Sequence, residues 1–252
     1  MTIHPIIRLV NRNLTISINP GFLIWQVIFP LIYIFVAGYA YTSLIEDVPF
    51  GNKSIDYPTF LASGMIGFNI MNSTLISGII IWNDRRHGMF EQIMSGPFTR
   101  TDYILSNICT IGIVGLVSAS LIALVGYPVF FDSVEFTVIT IPMIIFAAII
   151  GSILFGSIAS IISTRLRSSE GFNVIINTVF LFLAFVSTAF YPASGSPEPL
   201  RTAFYLNPLT YLVDVIRAGI FGNITEFVIM EMGVLVVIAS LFFIIATKLL
   251  TK

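Results

Sequence analysis

The chain has 252 residues, of which 56% are hydrophobic and 10% are charged, and its formal net charge at pH 7 is −1. Soluble domains carry about 25% charged residues, so this composition excludes an ordinary soluble domain and predicts an integral membrane protein. The charge balance indicates no nucleic-acid partner. The single cysteine, Cys109, excludes a disulfide within one chain, and His4 and His87 lie too far apart in sequence to form a metal-binding motif.

Residues 1–20 begin the chain with an amphipathic arm. With helical spacing, Arg8 and Arg12 lie near one face, and the other face collects apolar side chains: Ile3, Ile6, Ile7, Val10 and Leu14. This pattern predicts a helix that lies in the membrane interface.

Six long apolar runs follow, and each is long enough to cross a bilayer core of about 30 Å as a helix of about 20 residues. The first five contain no Asp, Glu, Lys or Arg, and the sixth is free of them over 232–247. The runs are continuous rather than alternating with period two, which favours helices over barrel strands. The sequence therefore predicts an all-α integral membrane fold, with one transmembrane domain over 1–252 and six spans: 22–44, 58–82, 103–127, 137–163, 171–191 and 227–250.

The polar segment 83–102, NDRRHGMFEQIMSGPFTRTD, separates the second and third spans. It predicts one short helix from Arg85 to about Ser95, which ends at a Gly-Pro pair and carries an apolar stripe: Phe90, Ile93 and Met94. Such a helix could offer its other face to a partner. It could equally be a solvated loop whose arginines only set the topology, and these residues alone leave both interpretations open.

The segment 192–226 precedes the sixth span and is only partly apolar. Asn207-Pro208 divides it, since a residue before proline avoids the helical region, and each half is too short to span. We expect one short helix capped by Ser196 and a second from about Leu209 to Phe221, both lying in or dipping into the membrane interface.

The distribution of basic residues predicts the orientation. With the N-terminus in the cytoplasm, nine of the twelve Lys and Arg residues lie on the cytoplasmic side, and the three outside are Lys53, Arg201 and Arg217. The positive-inside rule favours this arrangement. The prediction is a multi-pass protein of the inner or plasma membrane with both termini in the cytoplasm and with 192–226 outside.

Two stretches resemble signatures of the type-2 ABC exporter permeases, the membrane subunits of ATP-binding-cassette exporters. In DRRHGMFEQIMSGPFTRTDYIL, the matching positions are Arg85, Gly88, Glu91, Ile93, Met94, Pro97, Arg100, Ile104 and Leu105. In NPLTYLVDVIRAGIFG, they are Pro208, Leu209, Tyr211 and Arg217. The similarity extends over nearly the whole chain, because the length, six spans, N-terminal arm and broken segment before the sixth span also agree.

The resemblance implies a transport subunit that is not itself an enzyme. The lysines of the chain lack the G-x-x-x-x-G-K-[ST] context of a phosphate-binding loop, so no cofactor is expected on this chain. ATP and Mg would be bound by a separate nucleotide-binding ATPase subunit. In the family, the loop after the second span is a cytoplasmic coupling helix that docks on the ATPase. The implied ATPase-coupling residues are Arg85, Arg86, Gly88, Glu91, Pro97 and Arg100. Arg165 and Arg167 form either a secondary ATPase contact or a simple topology signal.

The family also works as two permease chains, so the resemblance implies a second permease chain, most simply in a homodimer. Candidates for the pathway or dimer interface are Trp25, Phe29, Tyr33, Asn173, Asn177 and Phe180; aromatic stripes can also face lipid or fill the core. The extracellular gate or signature residues would be Pro208, Tyr211, Asp214 and Arg217. Asp214 and Arg217 could alternatively form a plain interfacial ion pair. Small residues at four-residue spacing, Ser152, Gly156 and Ser160 with Ser63 and Gly67, predict close helix packing within the chain.

The remaining question is the function within the membrane. An ion-coupled transporter needs ionisable groups inside its spans, and an enzyme needs a cluster of catalytic groups; His87 with Glu91 is the only such pair. Both alternatives are therefore weaker than an exporter. The absence of charge from the first five spans, and from the sixth over 232–247, favours an amphipathic small molecule, drug or lipid as cargo, with a lipid-linked polysaccharide as the alternative.

Overall fold

The computed structural model describes residues 4–17, 20–42, 47–50, 53–75, 77–130, 137–166 and 168–250. A π-helical turn, Ile34–Gly38, joins the second and third helices. The secondary structure elements in chain order are α1 Pro5–Ser17, α2 Pro20–Tyr33, α3 Tyr39–Tyr41, β1 Val48–Phe50, β2 Lys53–Ile55, α4 Tyr57–Leu75, α5 Ser77–Arg86, α6 Met89–Met94, α7 Arg100–Phe130, α8 Thr140–Arg165, α9 Ser169–Phe185, α10 Glu198–Leu206, α11 Pro208–Phe221 and α12 Glu226–Leu250.

Five helical stretches in the described part of the chain are long and apolar enough to cross a membrane: Ile24–Tyr41, Tyr57–Arg86, Arg100–Leu124, Thr140–Arg165 and Glu226–Leu249. A sixth apolar helix, α9, is shorter. The chain is therefore a mostly helical, multi-pass membrane protein. Its fifth predicted run, 171–191, differs from the structure because α9 ends at Phe185, where Val186 leaves the helical region with φ −96° and ψ 48°.

Helix α4 lies at the centre of the molecule, and nearly all its side chains are buried. It packs against α7, α8 and α11. Helix α11 is also buried along most of its length, and Thr140 of α8 donates a hydrogen bond to the Gly219 carbonyl at 2.7 Å. Helix α11 is thus enclosed by protein along most of its length, and its position in or dipping into the membrane interface stays a prediction. Its polar ends are satisfied by protein, so the helix can lie inside the fold.

The broken segment has the predicted two helices, and α11 begins one residue before the predicted start. Asn207 caps α11, since its side chain accepts a hydrogen bond from the Leu209 amide at 2.9 Å. Gly222 ends the helix with a left-handed φ of 68°. The predicted Ser196 cap of α10 is wrong. Pro197 holds the cap position, and the Ser196 hydroxyl instead donates to the Pro192 carbonyl at 2.9 Å.

Small residues let these helices approach closely within the chain, as the sequence predicts. A Cβ atom at Gly67 would lie 2.7 Å from a Val213 methyl group, and one at Gly156 would lie 2.9 Å from Ile108. Gly64 faces backbone rather than a movable side chain, because a Cβ atom there would overlap the Ala189 carbonyl oxygen. Glycine at position 64 therefore fixes the distance between α4 and the turn that follows α9.

The antiparallel hairpin β1–β2 covers one end of the bundle, with Val48 opposite Ile55 and both side chains buried. Phe50 packs on Phe221 of α11, with ring centroids 5.6 Å apart. We call this end, where α4 begins, the hairpin end. The run of α4 and α5 extends from it to the opposite end of the bundle, where α6 lies, and we call that the α6 end.

We predict that Gly64→Ala destabilises the fold by roughly 1–3 kcal/mol, because a methyl group would force α4 away from the Ala189 carbonyl. Gly233→Ala in α12 is the matched control, since its Cβ would meet no atom within 4 Å and alanine favours the helix. Thermal unfolding of the purified chains in one detergent measures both. Equal unfolding temperatures for the two variants would contradict the packing described here.

Candidate functional site

A glycine divides the polar segment at the α6 end into two helices. The single helix predicted from Arg85 to Ser95 is wrong in this respect, since α5 ends at Arg86 and α6 begins at Met89. Gly88 lies between them with a φ of 71°, a left-handed conformation that costs an L-residue with a side chain about 1–2 kcal/mol. The chain therefore changes direction at Gly88, and α6 is a separate element.

The underside of α6 packs on the bundle through the apolar stripe that the sequence predicts. Phe90 and Ile93 are buried and Met94 is partly buried in a cluster that includes Leu9 of α1 and Ile104 of α7. The Phe90 ring meets the ring of Tyr103 edge to face, with centroids 5.1 Å apart. Aromatic pairs in this geometry contribute about 0.5–1.5 kcal/mol beyond burial. Helix α6 is thus held by its apolar face against two other helices.

The opposite face of α6 and its flanks is polar and exposed. Arg100 is half-buried at the start of α7. The other five predicted coupling residues are exposed: Arg85, Arg86, Gly88, Glu91 and Pro97. Arg86 lies over the Trp82 ring at 5.1 Å, a cation–π contact that orients its guanidinium group. The structure therefore places the predicted coupling residues on one exposed segment with an apolar base.

The predicted secondary contact is only partly described. Arg165 is the last residue of α8 and is exposed, whereas Arg167 lies outside the described residues.

A buried polar network ties the N-terminal arm to the α6 end. Arg12 of α1 pairs with Asp84 of α5 through two hydrogen bonds of 2.7 and 3.0 Å, a strong bidentate geometry. The Tyr103 hydroxyl of α7 donates to the same carboxylate at 2.8 Å. The hydrogen bond to Asp84 raises the pKa of Arg12 above its ordinary value, against the opposing effect of burial.

A second pair lies beside this network. The buried Asn13 donates to the Asn107 side chain at 3.1 Å, and Asn107 donates to the Tyr103 carbonyl at 2.9 Å. Each buried amide therefore has a partner, as buried polar groups require. Because Tyr103 also contacts Phe90, the arm, the end of α5, the start of α7 and α6 form one connected unit at the α6 end.

Arg217 organises the hairpin end. The residue is 1% exposed, and its guanidinium lies 3.7 Å from the centre of the Phe60 ring. It donates to Ser63 Oγ and the Phe60 carbonyl of α4, each at 3.2 Å, and to the Thr188 carbonyl at 2.8 Å. A longer contact of 3.4 Å reaches Asp214. Arg217 therefore does more than form an ion pair with Asp214, because its hydrogen bonds join α11 to α4 and to the turn after α9.

The other predicted signature residues extend these connections. Pro208 occupies the first turn of α11, where its missing N–H has no cost. The Tyr211 hydroxyl donates to the Tyr205 carbonyl of α10. Asn207 Nδ2 donates to the Leu183 carbonyl at 2.7 Å, which fixes the start of α11 against the end of α9.

The predicted pathway or interface residues divide between two helices. On α2, Trp25, Phe29 and Tyr33 form a row of tilted rings with centroid distances of 5.6 and 6.4 Å. Trp25 is 61% exposed, whereas Phe29 also packs on Phe68 of α4. The α2 stripe thus has one side on the core and one side uncovered.

On α9, Asn173, Asn177 and Phe180 line a cavity of about 120 Å³ between α9 and the α4–α5 run. The Asn177 amide donates to the Asn173 carbonyl at 2.7 Å. Both asparagine side chains are exposed, so their polar groups lie on an open surface of this chain.

Four functional candidates lie outside the predicted set. They are Asp84, Tyr103, Asn107 and Glu231, and all four are buried. Glu231 had a sequence signal, because an acid inside a predicted span indicates a functional site. The other three lie at the ends of spans, where a polar residue is ordinary, and only their long-range partners distinguish them. Among the described residues, no group of three or more His, Cys, Asp or Glu could hold a metal ion.

Comparisons with known proteins agree with this architecture. Residues 6–221 match the ABC-2 type transporter family, and the chain belongs to that family. It is 29% identical to ycf38 of Pyropia yezoensis, named a transport permease, over 84% of this chain and 72% of that protein. It is 23% identical to nodulation protein J of Rhizobium leguminosarum bv. viciae over 88% of this chain and 84% of that protein. The chain is accordingly a type-2 ABC transport permease, a transport subunit rather than an enzyme.

We predict that Arg217→Gln lowers the free energy of unfolding by about 3–5 kcal/mol, since it removes a buried charge whose partners would remain buried. Arg201→Gln in α10 is the control, because Arg201 is exposed and such surface changes shift stability by about 0.5 kcal/mol or less. Thermal unfolding in detergent compares the two chains. An Arg217→Gln chain as stable as the Arg201→Gln chain would show that these contacts contribute nothing.

Proposed function

We propose that the chain is the permease subunit of an ATP-driven exporter and that a separate nucleotide-binding ATPase subunit docks on α6. In this proposal α9 is the fifth of six spans, both termini and the α6 end are cytoplasmic, and the hairpin end faces outside. The observation that carries the proposal is the two-sided construction of α6 in a chain of the ABC-2 type transporter family. Its apolar face is anchored on the bundle, and its polar residues, Glu91 and Gln92, are exposed.

The charges on the uncovered face suit a polar protein groove. Glu91 and Arg85 are exposed and of opposite sign, which gives an ATPase groove two distinct contacts and sets the orientation of docking. Gly88 lets α6 leave the axis of α5. A displacement of α6 would then reach α7 through Phe90 and Tyr103, and α1 through Tyr103, Asp84 and Arg12. These contacts would make the arm move together with α6 instead of acting as a separate anchor.

We further propose that a second copy of the chain covers the open side of α2 and α9 and that the pathway lies between the copies. Large apolar side chains are exposed on both helices: Trp25, Ile28, Ile32, Val174, Leu181, Phe182 and Phe185 are among them. Part of this surface would contact lipid, since apolar side chains pack equally well against lipid tails and against a second copy of the chain.

The proposed cargo is an amphipathic small molecule, drug or lipid. The helices that would border the pathway offer aromatic and amide side chains and no ionisable group between Trp25 and Tyr33 or between Asn173 and Phe180. A lipid-linked polysaccharide is the second candidate, because the neighbouring aromatic rings of Trp25, Phe29 and Tyr33 offer surfaces on which sugars can stack.

We predict that an ATPase subunit co-purifies with the tagged chain from native membranes in mild detergent or nanodiscs. Glu91→Ala, or Arg85→Ala together with Arg86→Ala, should reduce the bound ATPase or its transport-linked hydrolysis by about tenfold, the effect of losing about 1.4 kcal/mol at the interface.

The matched controls for this experiment are Glu198→Ala and Arg201→Ala. Both residues are exposed on α10 at the hairpin end, so these variants should retain the ATPase. Two results would contradict the proposal: no ATPase with the wild-type chain, or equal retention by the α6 variants and the controls.

A further inference from the structure

A cavity of about 420 Å³ lies at the hairpin end, on the opposite side of the bundle from α6. Its walls come from the hairpin, the turn after α9, α10, α11 and the first turns of α12, with Phe50, Thr188, Tyr205, Asp214 and Phe227 among the lining residues. The volume is within the range of about 300–1,000 Å³ that holds small ligands in proteins. Phe60 of α4 also lines the cavity, so six separate elements build one recess large enough for a small organic molecule.

The charges on the cavity wall do not balance. Its charged lining residues in the described part of the chain are Asp214, Arg217 and Glu231, two acids and one base. Arg217 directs its shorter hydrogen bonds to Ser63 and to the backbone carbonyls of Phe60 and Thr188. The guanidinium of Arg217 is therefore held by the protein scaffold, and two acidic side chains line the cavity beside it.

Glu231 is the unpartnered member of this set. The residue is 1% exposed, and its Oε2 atom accepts no hydrogen bond from the described residues. A buried carboxylate without a partner is costly unless a counter-ion or donor approaches it. By contrast, Glu226 on the same helix is exposed and meets water. The side chain of Glu231 borders the cavity, so a donor within the cavity can reach it.

Aromatic side chains complete the wall. The Arg217 guanidinium covers one face of Phe60, whereas Tyr205 is 49% exposed and Phe227 is 51% exposed. Aromatic faces beside a carboxylate are the surroundings in which organic cations bind. A primary ammonium group adds three N–H donors, which suits the vacant acceptor on Glu231.

We propose that this cavity binds an organic ammonium ion, with the Glu231 carboxylate as its charge partner and Tyr205 and Phe227 as its aromatic walls. The ammonium group can belong to a free amine or to the headgroup of an aminophospholipid. The inference does not rest on the proposed ATPase docking, because binding to this cavity is measured without ATPase or nucleotide.

The test is calorimetric titration of the full chain in phosphatidylglycerol nanodiscs at pH 7. The probe is 2-phenylethylammonium, and its uncharged match is 2-phenylethanol. We expect the wild-type chain to bind the ammonium at least about tenfold more tightly than the alcohol, as one desolvated charge pair implies. Glu231→Gln should abolish this preference, and Glu226→Gln on the same helix should retain it.

A second variant covers the case in which Glu231→Gln does not fold. Phe227→Leu should weaken ammonium binding about threefold and leave alcohol binding nearly unchanged, since only the cation–π contact is lost. Equal binding of the two probes by the wild-type chain would overturn the proposal, and so would an undiminished preference in a folded Glu231→Gln chain.

Adding phosphatidylethanolamine to the nanodiscs identifies the source of the ammonium group. A weaker apparent affinity for the probe would show competition by the lipid headgroup, and an unchanged affinity would indicate a free amine. Both results uphold the cavity as an ammonium site. The ATPase co-purification uses variants of the coupling segment at the α6 end, whereas the titration uses variants at the hairpin end. A failure of the ATPase docking proposal is therefore distinguishable from a failure of the ammonium proposal.

Discussion

The buried guanidinium of Arg217 is the contact on which the hairpin end depends. It lies on the Phe60 ring and bonds to the carbonyls of Phe60 and Thr188, so α4, α11 and the turn after α9 meet at one side chain. A planar group with five donors suits this junction, and an ammonium group would not reproduce it. A helix as short as α11 does not span a bilayer. Contacts with α4, α8 and the turn after α9 hold α11 in place instead. The charge of Arg217 is stabilised because its donors meet oxygen atoms rather than hydrocarbon.

At the α6 end, too, a charged side chain joins several helices, but the contacts differ. There the charged pair, Arg12 with Asp84, is only partly buried, with 24% and 10% of the two side chains exposed. Tyr103 joins the pair to α7 and packs on Phe90 of α6. Between the two ends the helices are apolar and closely packed at small residues such as Gly67 and Gly156. Close-packed interiors have low compressibility, so these contacts connect the two ends of the bundle through a stiff core.

Much of this fold follows from local sequence patterns. The continuous apolar runs indicate the long helices, the Asn207-Pro208 break and Gly222 give the bounds of α11, and the stripe of Phe90 and Ile93 gives the buried face of α6. These features depend on neighbours a few residues apart.

The remaining features depend on distant partners. Arg12 and Asp84 are 72 positions apart, and no local pattern pairs them. The early end of α9 has the same origin, because Arg217 and Asn207 take the carbonyls of Thr188, Leu183 and Val186. The motif includes Gly88, but the left-handed φ of Gly88 depends on the packing of α6. Such contacts depend on the tertiary fold, so the sequence indicates the polar segment 83–102 but not the contacts of Arg12, Asp84 and Tyr103 beneath it.

Cysteine footprinting of α6 tests the central claim most directly. Cys109 is the single native cysteine, so Gln92→Cys in a Cys109→Ser background places one reactive thiol on the exposed face of α6, and Ser194→Cys places one at the hairpin end. In inside-out vesicles, a membrane-impermeant maleimide should label position 92 and not position 194, and the bound ATPase subunit should protect position 92. Labelling of position 92 that is unchanged by the ATPase, or labelling of position 194 alone, would contradict the docking of an ATPase on α6.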